Sequence, residues 1–248
     1  MSKTHQETIL NDFNFSSFQA RQAAAMIWNA ACGADLAFSP DFIHRNTRPI
    51  SGVVQAGKLA LIQNEMIGFI IASAVIDDPA KKMGWIDVMA VTPSAQRRGA
   101  GSALLNWAED WLTAHGCTLA RLGGSLRPFT PGIPEELGCE AFFTRRGFER
   151  RSGWDVEWDV ARSLRDYQPV VTAPPPDATL AAMQPGQEND LLGFLKAEFP
   201  GRWLFEFEMF LADGGRASDY LLLWVNGKVG GFCRSTLEGS ERSLERFY

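Results

Sequence analysis

The stretch from Trp85 to Leu122 constrains this chain more than any other. It reads Trp85-Ile86-Asp87-Val88-Met89-Ala90-Val91, then Thr92-Pro93-Ser94-Ala95, then Gln96-Arg97-Arg98-Gly99-Ala100-Gly101-Ser102. The first piece is short, apolar and ends at a proline, which predicts a buried strand. Beyond Gly101, Leu104, Ala108, Trp111 and Leu112 recur at helical spacing, with Glu109, Asp110 and Thr113 on the other side. Gly116 stands where a helix C-terminus favours positive φ, and a short apolar run, Leu119 to Leu122, follows. The order is strand, glycine-bearing turn, helix, strand. At the start of such a helix the first N–H groups have no helical partner, and the helix dipole adds roughly half a positive charge. Gly99 and Gly101 let an anion approach the backbone with no Cβ in the way, and Arg97 and Arg98 add cationic side chains. The arrangement suits a pyrophosphate. A dinucleotide fingerprint does not fit, because its third glycine would fall at Leu104.

The length, 248 residues, suits one large domain or two small ones. A net charge of −5 and a pI near 5.3 argue against a nucleic-acid binder, which needs a basic face. Cys32, Cys117, Cys139 and Cys233 are scattered without metal-ligand spacing, so no metal site is expected and the thiols read as reduced. The polar start, Met1 to Asn11, lacks an apolar signal core, and no apolar run is long enough for a membrane span. A cytoplasmic protein with no membrane partner is the expectation.

Taken in order, Phe18, Ala20, Ala23, Ala24, Ile27, Trp28 and Ala31 predict an amphipathic helix capped by Ser16 or Ser17. Ala37 to Pro49 reads as loop or short helix. Gly57 to Val75 predicts a hairpin turning at Gln63-Asn64-Glu65, and Asp77 to Pro79 a loop. Gly123 to Pro134 is rich in turn residues. Pro134, Glu135 and Glu136 favour a helix start, with the helix ending near Arg146-Gly147. Trp154 to Val160 alternates apolar and acidic residues as a half-buried strand does. Prolines at 169 and 174–176 predict a linker over 166–178. The tail then repeats the head. Thr179-Leu180 reads as a strand, Glu188 to Ala197 as a helix, and Leu221 to Phe232 as a hairpin with an Asn226-Gly227 turn. Aligning Gly231-Phe232 with Gly68-Phe69 gives an internal repeat. The expected domains are 1–165 and an incomplete second copy, 179–248; either the sequence is a truncated tandem protein, or the tail has a structural role in which its open edge pairs with the first domain or with another chain, a homodimer being one outcome.

The pattern Gln96-x-x-Gly99-x-Gly101, preceded by a strand ending Met89-Ala90-Val91-x-Pro93, resembles the acetyl-CoA motif of the Gcn5-related N-acetyltransferases (the GNAT superfamily). The resemblance continues to Ala141-Phe142-Phe143-Thr144-Arg145-Arg146-Gly147-Phe148, similar to the family's second motif. It implies an α/β (α+β) fold, a mixed, mostly antiparallel sheet with helices on both faces, here with a partial second copy. It implies direct transfer from acetyl-CoA, without a metal, to a primary amine of a small molecule or peptide. The strand backbone at Met89, Ala90 and Val91, commonly bulged, would align the pantetheine and polarise the thioester. Gln96, Arg97, Arg98, Gly99, Ala100, Gly101 and Ser102 would hold the pyrophosphate.

Two catalytic positions need separate comment. The family's usual tyrosine acid falls at Phe143, and the only tyrosines are Tyr167, Tyr220 and Tyr248. Water, Ser125 or Thr144 would have to substitute, or the chain is a non-catalytic acyl-CoA-binding or assembly module. For the base, Asp87 is the candidate, placed on the same face as Met89 two residues away. His44 is the second, and a solvated or ion-paired carboxylate is the competing reading of Asp87.

Overall fold

Gly57 sits in the middle of a strand rather than at its start, because a Cβ there would come within 2.7 Å of the Ile70 carbonyl oxygen on the neighbouring strand. The strands here lie too close for a side chain at that point. Strand β2 (Val53–Ile62) pairs antiparallel with β3 (Glu65–Val75) through a two-residue turn, Gln63-Asn64, both at positive φ (52° and 64°). That is the mirror-image turn that matches strand twist. The computed structural model describes residues 8–50, 52–76, 83–130, 132–150, 168, 176–212 and 214–234. The strand expected over Trp154–Val160, the loop at Asp77 to Pro79 and most of the expected linker lie outside them. The described residues divide into two compact units, one up to Leu137 and one from Gly138.

In the first unit five strands run in the order β1-β2-β3-β4-β5, with β1 (Ile9–Asp12), β4 (Met83–Val91) and β5 (Leu119–Leu122) completing the sheet. Every pairing is antiparallel except β4 with β5, which is parallel. Helix α1 (Phe18–Cys32) starts at Ser17, whose hydroxyl accepts the Ala20 N–H, and stops at Gly33 (φ 86°). Helix α2 (Pro40–Asn46) is capped by Ser39 and takes proline at its first turn, so the segment read as loop or short helix is a helix. Both pack on one face of the sheet, where Trp28, Phe38, Phe42, Phe69, Ile71, Val88 and Phe129 form the core. Burying a side chain of this size contributes roughly 1.5–3 kcal/mol. Helix α3 (Ala100–Ala114) covers the other face through Leu104, Leu105, Ala108 and Leu112. Gly84 leaves room for Leu112, which an added Cβ would meet at 2.4 Å.

The helix expected from Pro134 to Arg146 does not run through. A single turn at Glu135–Leu137 is followed by Gly138 at φ 57°, and only α4 (Glu140–Thr144) is helical beyond it. A left-handed residue cannot sit inside a right-handed helix.

The second unit carries a three-stranded sheet, β6 (Ala178–Ala182), β7 (Tyr220–Val225) and β8 (Lys228–Arg234), with α5 (Glu188–Glu198) and α6 (Arg202–Ala212). Its register repeats that of the first unit. Ala60 faces Gly68 as Leu223 faces Gly231, and each hairpin shifts register at the next residue, between Ala60 and Leu61 and between Leu223 and Trp224. Asn226-Gly227 turns with φ 51° and 74°, as Gln63-Asn64 does. The Phe13 N–H bonds the Gly57 carbonyl, and the Met183 N–H the Tyr220 carbonyl, at 2.9 and 2.8 Å. Helix α6 is an addition to the expected elements, with Leu204, Phe207, Phe210 and Leu211 recurring at helical spacing on the side that meets the core. Among the described residues this unit has no counterpart of β4, the turn after it, or α3.

Gln63 and Asn64 hold a conformation that suits Asn-Gly. The double substitution Gln63→Asn, Asn64→Gly is expected to stabilise the chain by about 1 kcal/mol, raising Tm by roughly 2–4 °C in a melt followed by circular dichroism. An unchanged or lower Tm would show that the turn carries no strain.

Candidate active site

Strand β4 changes character at Asp87. Up to Ile86 it is paired on both sides, to β3 and in parallel to β5, and the Gly123 N–H closes that ladder on the Ile86 carbonyl at 2.9 Å. At Asp87 the register against β3 slips: Ala72 faces Ile86 while Ile71 faces Val88, so Asp87 is an extra, bulged residue. From there to Val91, among the described residues, β4 keeps β3 and has no partner strand on its other edge. The chain thereby presents a short length of unpaired strand edge, able to bond an extended amide-bearing ligand as a neighbouring strand would.

The bulge corrects one sequence expectation. Asp87 does not share a face with Met89. Ser73 faces Trp85 and donates to Asp87, and Val88 faces Ile71 on that same side, so Met89 points to the opposite face. Two consecutive residues share a side because the bulge interrupts the alternation.

The open strand edge runs into the turn. Val91 is held by the Gln96 side-chain amide, which donates to its carbonyl at 3.0 Å, and a tight turn at Pro93–Ala95 carries the chain round. Arg97 sits at φ 63° and Gly99 at φ 95°. A non-glycine residue in that region marks a backbone held by its surroundings, a feature of functional turns. Gly99 precedes α3, whose N-terminus has no side-chain cap and no acidic residue in its first turn. Gln96, Arg97, Arg98, Gly99 and Ser102 are exposed, while Ala95 and Ala100 are buried and anchor the loop. The N–H groups of Ala100, Gly101 and Ser102 lie in the first turn, where a helix supplies no acceptor. The exposed part of this segment, Gln96 to Gly99 with Ser102, thus lies at the start of α3.

Asp87 is 1% exposed. Its carboxylate accepts from the Gln55 amide at 2.8 Å and the Ser73 hydroxyl at 2.8 Å, and Ser125 also hydrogen-bonds to it. Burial pushes its pKa from 3.8 up to about 6, against the three donors, which pull it down. Gln55, Ser73 and Ser125 line a cavity of about 230 Å³, together with Trp85, Thr47, Arg48 and Arg127. Asp87 thus lies just beneath the cavity floor. The wall opposite the sheet is tied down by Arg127, which donates to the carbonyls of Arg45 (2.8 Å), Arg48 (2.7 Å) and Pro49 (3.4 Å), and by Asn46, which donates to the Pro128 carbonyl (3.2 Å). A guanidinium on the last carbonyls of α2 also suits that helix's dipole.

His44 is exposed on α2, and Glu136 is exposed. Phe143 is buried between Phe142 and Phe148 in the second unit, with ring centroids 5.0 and 5.9 Å away. Glu140 is ion-paired with Arg150 at 2.7 Å. Gln55 and Ser73 were not singled out from sequence. Gln55 and Ser73 left a signal, since each is an uncharged polar residue between apolar neighbours, Val54 and Ala56 in one strand and Ala72 and Ala74 in the other. Among the described residues no group of three His, Cys, Asp or Glu is placed to hold a metal ion, and no helix is long and apolar enough to cross a membrane.

Residues 18–125 match the family model of the acetyltransferase (GNAT) family. No curated protein matches the sequence. Among solved structures, the chain is similar to the GCN5-related glucosamine N-acetyltransferase region of a fungal multi-domain GH3 β-N-acetylglucosaminidase, with 21% identity and a TM-score of 0.68 over 90% of this chain. It is also similar to a tandem GNAT protein of the clavulanic acid biosynthesis pathway, with 16% identity and a TM-score of 0.64 over 91% of this chain. The chain spans 27% of the first protein's length and 73% of the second's.

A carboxylate whose folded-state pKa lies near 6 against an ordinary 3.8 binds protons more tightly folded than unfolded. Its contribution is therefore present in acid and lost as pH rises from about 4 through 6, a change of about 3 kcal/mol at most. Asp87→Asn is expected to flatten the pH dependence of stability across that window and to raise Tm at pH 8. A Tm at pH 8 that falls by several degrees would make Asp87 a structural anion.

Proposed function

We propose that this chain, whose residues 18–125 match the acetyltransferase (GNAT) family model, moves an acetyl group from acetyl-CoA directly to a primary amine of a small molecule or peptide. The observation that carries this reading is the bulge at Asp87. One break in the sheet frees the β4 edge, brings a carboxylate under a cavity and points the open strand at an uncapped helix N-terminus.

The residues present fit acetyl-CoA. Backbone at Met89, Ala90 and Val91 offers strand-type hydrogen bonds to the pantetheine amides. The N–H groups from Gly99 to Ser102, with Arg97 and Arg98 beside them, suit the pyrophosphate. The thioester supplies an activated acyl group with a good leaving thiol. The acceptor needs a neutral amine, and Asp87, with a pKa near 6, is ionised at neutral pH and ready to take its proton. Buried as it is, Asp87 meets the cavity only through its partners. The Ser73 and Ser125 hydroxyls donate to it and keep lone pairs free for an amine N–H, so either can pass the proton inward.

A second reading is favoured by Phe143, which has no proton to give where the family's acid would stand. On that reading the chain binds acyl-CoA without turnover, as a binding or assembly module. Acceptor class, an amine of the kind the fungal region's glucosamine represents or a peptide amine, is tested in the same assay.

Calorimetric titration of acetyl-CoA into the full chain is expected to give micromolar binding, lost at least tenfold in Gly101→Glu, which puts a carboxylate at the helix start. Thiol release over a panel of amines is expected to rise with pH through about 6. Asp87→Asn is expected to lower it about 100-fold and remove that acid limb with acetyl-CoA affinity unchanged. Binding without thiol release for every amine would establish the module. With turnover present, Phe143→Tyr is expected to raise the rate severalfold if position 143 lies where a thiolate needs a proton.

A further inference from the structure

Asp87 meets the cavity only across other side chains, and one of them, Gln55, reaches over a whole strand to do so. Gln55 stands on β2, where it faces Ser73 on β3, which in turn faces Trp85 on β4. Two strand spacings, roughly 10 Å, separate β2 from β4. The Gln55 Nε2 amide donates to Asp87 Oδ2 at 2.8 Å, while the Ser73 hydroxyl donates to Oδ1 at 2.8 Å. A shorter side chain on β2 would not reach. An ionised carboxylate only accepts, so Asp87 fixes which way round the carboxamide sits. The Gln55 carbonyl oxygen is the group left over. Among the described residues no donor reaches it, and it is not sealed from solvent, since Gln55 is half-buried and lines the cavity. The Ser73 and Ser125 hydroxyls likewise spend their protons on Asp87. What these three residues keep for a ligand is chiefly lone pairs, which suits a group that brings N–H donors. Thr47 and Arg127, also in the lining, donate to backbone carbonyls.

We propose that Gln55 serves the site at both ends of its carboxamide: Nε2–H holds Asp87 in position, and Oε1 accepts one N–H of the acceptor amine, so that the site selects primary amines over secondary ones. The inference rests on the acetyltransferase reading and gives it a specificity-determining residue. A neutral primary amine has two hydrogens, and the site has a use for each. One passes through a serine hydroxyl to Asp87. The other stays on nitrogen, held by Gln55 Oε1, and becomes the N–H of the product amide. Between them the nitrogen bonds to the acetyl carbonyl carbon, the carbon–sulfur bond breaks, and coenzyme A leaves as a thiolate that takes a proton from solvent. A secondary amine has only the hydrogen it must lose, and turns an alkyl group toward the Gln55 carbonyl.

The test uses the full chain at saturating acetyl-CoA with 2-phenylethylamine, glucosamine and alanine, each paired with its N-methyl derivative. Thiol release gives kcat/KM, and calorimetry gives binding of each amine. Gln55→Met keeps the reach and removes both donor and acceptor, with Gln55→Leu in reserve, and Gln55→Glu removes the donor and keeps an acceptor. Unchanged acetyl-CoA affinity shows that a variant is folded. In Gln55→Met the preference for a primary amine over its N-methyl form is expected to fall about tenfold, mainly through KM, and in Gln55→Glu to persist. The acid limb of kcat/KM, at about 6 in the parent chain, is expected to move up in both. Burial raises the pKa of Asp87, and of the donors that pull it down Gln55 is the strongest; in Gln55→Glu two carboxylates also share a proton. Arg48 and Arg127, the charged groups in the cavity lining among the described residues, have bonds of their own and do not shift Asp87. A preference unchanged in Gln55→Met, or absent from the parent chain, would overturn the contact with the acceptor. An acid limb that stays at about 6 in both variants would overturn the hold on Asp87. Either result, with turnover present, leaves the enzyme reading standing. Amine binding that weakens in Gln55→Met without thiol release from any amine would uphold the contact and overturn the enzyme reading.

Discussion

The site depends on β4 losing its second neighbour. A strand in the middle of a sheet spends its backbone groups on both sides, and nothing remains for a ligand. Here β5 accompanies β4 only from Met83 to Ile86, and the Gly123 N–H caps the last shared carbonyl. The bulge at the next residue separates two tasks that a regular strand could not combine. The backbone beyond it is free along one edge, while the side chain at the bulge is turned into the interior. The apolar packing of Phe69, Ile71, Val88 and Ala90 against α1 and α2 holds the strand in place although, among the described residues, only β3 pairs with it beyond Ile86. The core keeps rigid what the sheet leaves unpaired.

The same bulge explains why an ionisable side chain is tolerated in the core. A lone buried carboxylate is costly, and Asp87 is almost wholly excluded from water. Three neutral donors offset part of that cost, and none of them is a cation. A lysine or arginine in their place would hold the carboxylate ionised and weakly basic, fit for structure and poor for proton transfer. Neutral donors leave it desolvated enough to hold a proton near pH 6 and hydrogen-bonded enough to stay ionised above that. The two arginines at the cavity stay in its wall, with Arg127 spent on carbonyls at the end of α2.

Comparing the two units isolates what β4 contributes. The hairpins β2–β3 and β7–β8 share register, turn and register shift, so the two stretches fold by the same local rules. Their equivalent phenylalanines differ in burial. Phe69 is fully buried in the core against α1 and α2, with β4 paired beside its strand, whereas Phe232, on the last described strand, is only partly buried. The Asn-Gly turn of the second copy is also the stronger hairpin former. The local code for half the fold is thus complete in both copies, and the chemistry belongs to the strand, turn and helix that only the first one presents among the described residues.

Those elements were also the legible part of the chain. Apolar period, Ser17, Gly116 and Asn226-Gly227 are local signals, and they located α1, α3 and both hairpins to within a residue or two at most ends. The helix after Pro134 was over-extended because the pattern of charges outweighed one glycine, Gly138, whose φ of 57° no helix accommodates. The bulge could not be read, since nothing in Ile86-Asp87-Val88 distinguishes a bulged aspartate from an alternating one; the slip is imposed by where Ala72 and Ile71 need to sit. Asp87 was found for its chemistry and assigned to the wrong face for its geometry. The cavity itself is assembled from α2, β2, β3, β4 and the loop after β5, segments more than 80 residues apart, as Asn46 and Pro128 are. Its polar residues nonetheless stood out in their strands. Gln55 and Ser73 break apolar runs at positions that face each other across the β2–β3 ladder. In a sheet with one face in the core, such a paired interruption carries a cost that only a polar partner on the next strand repays, and Asp87 is that partner.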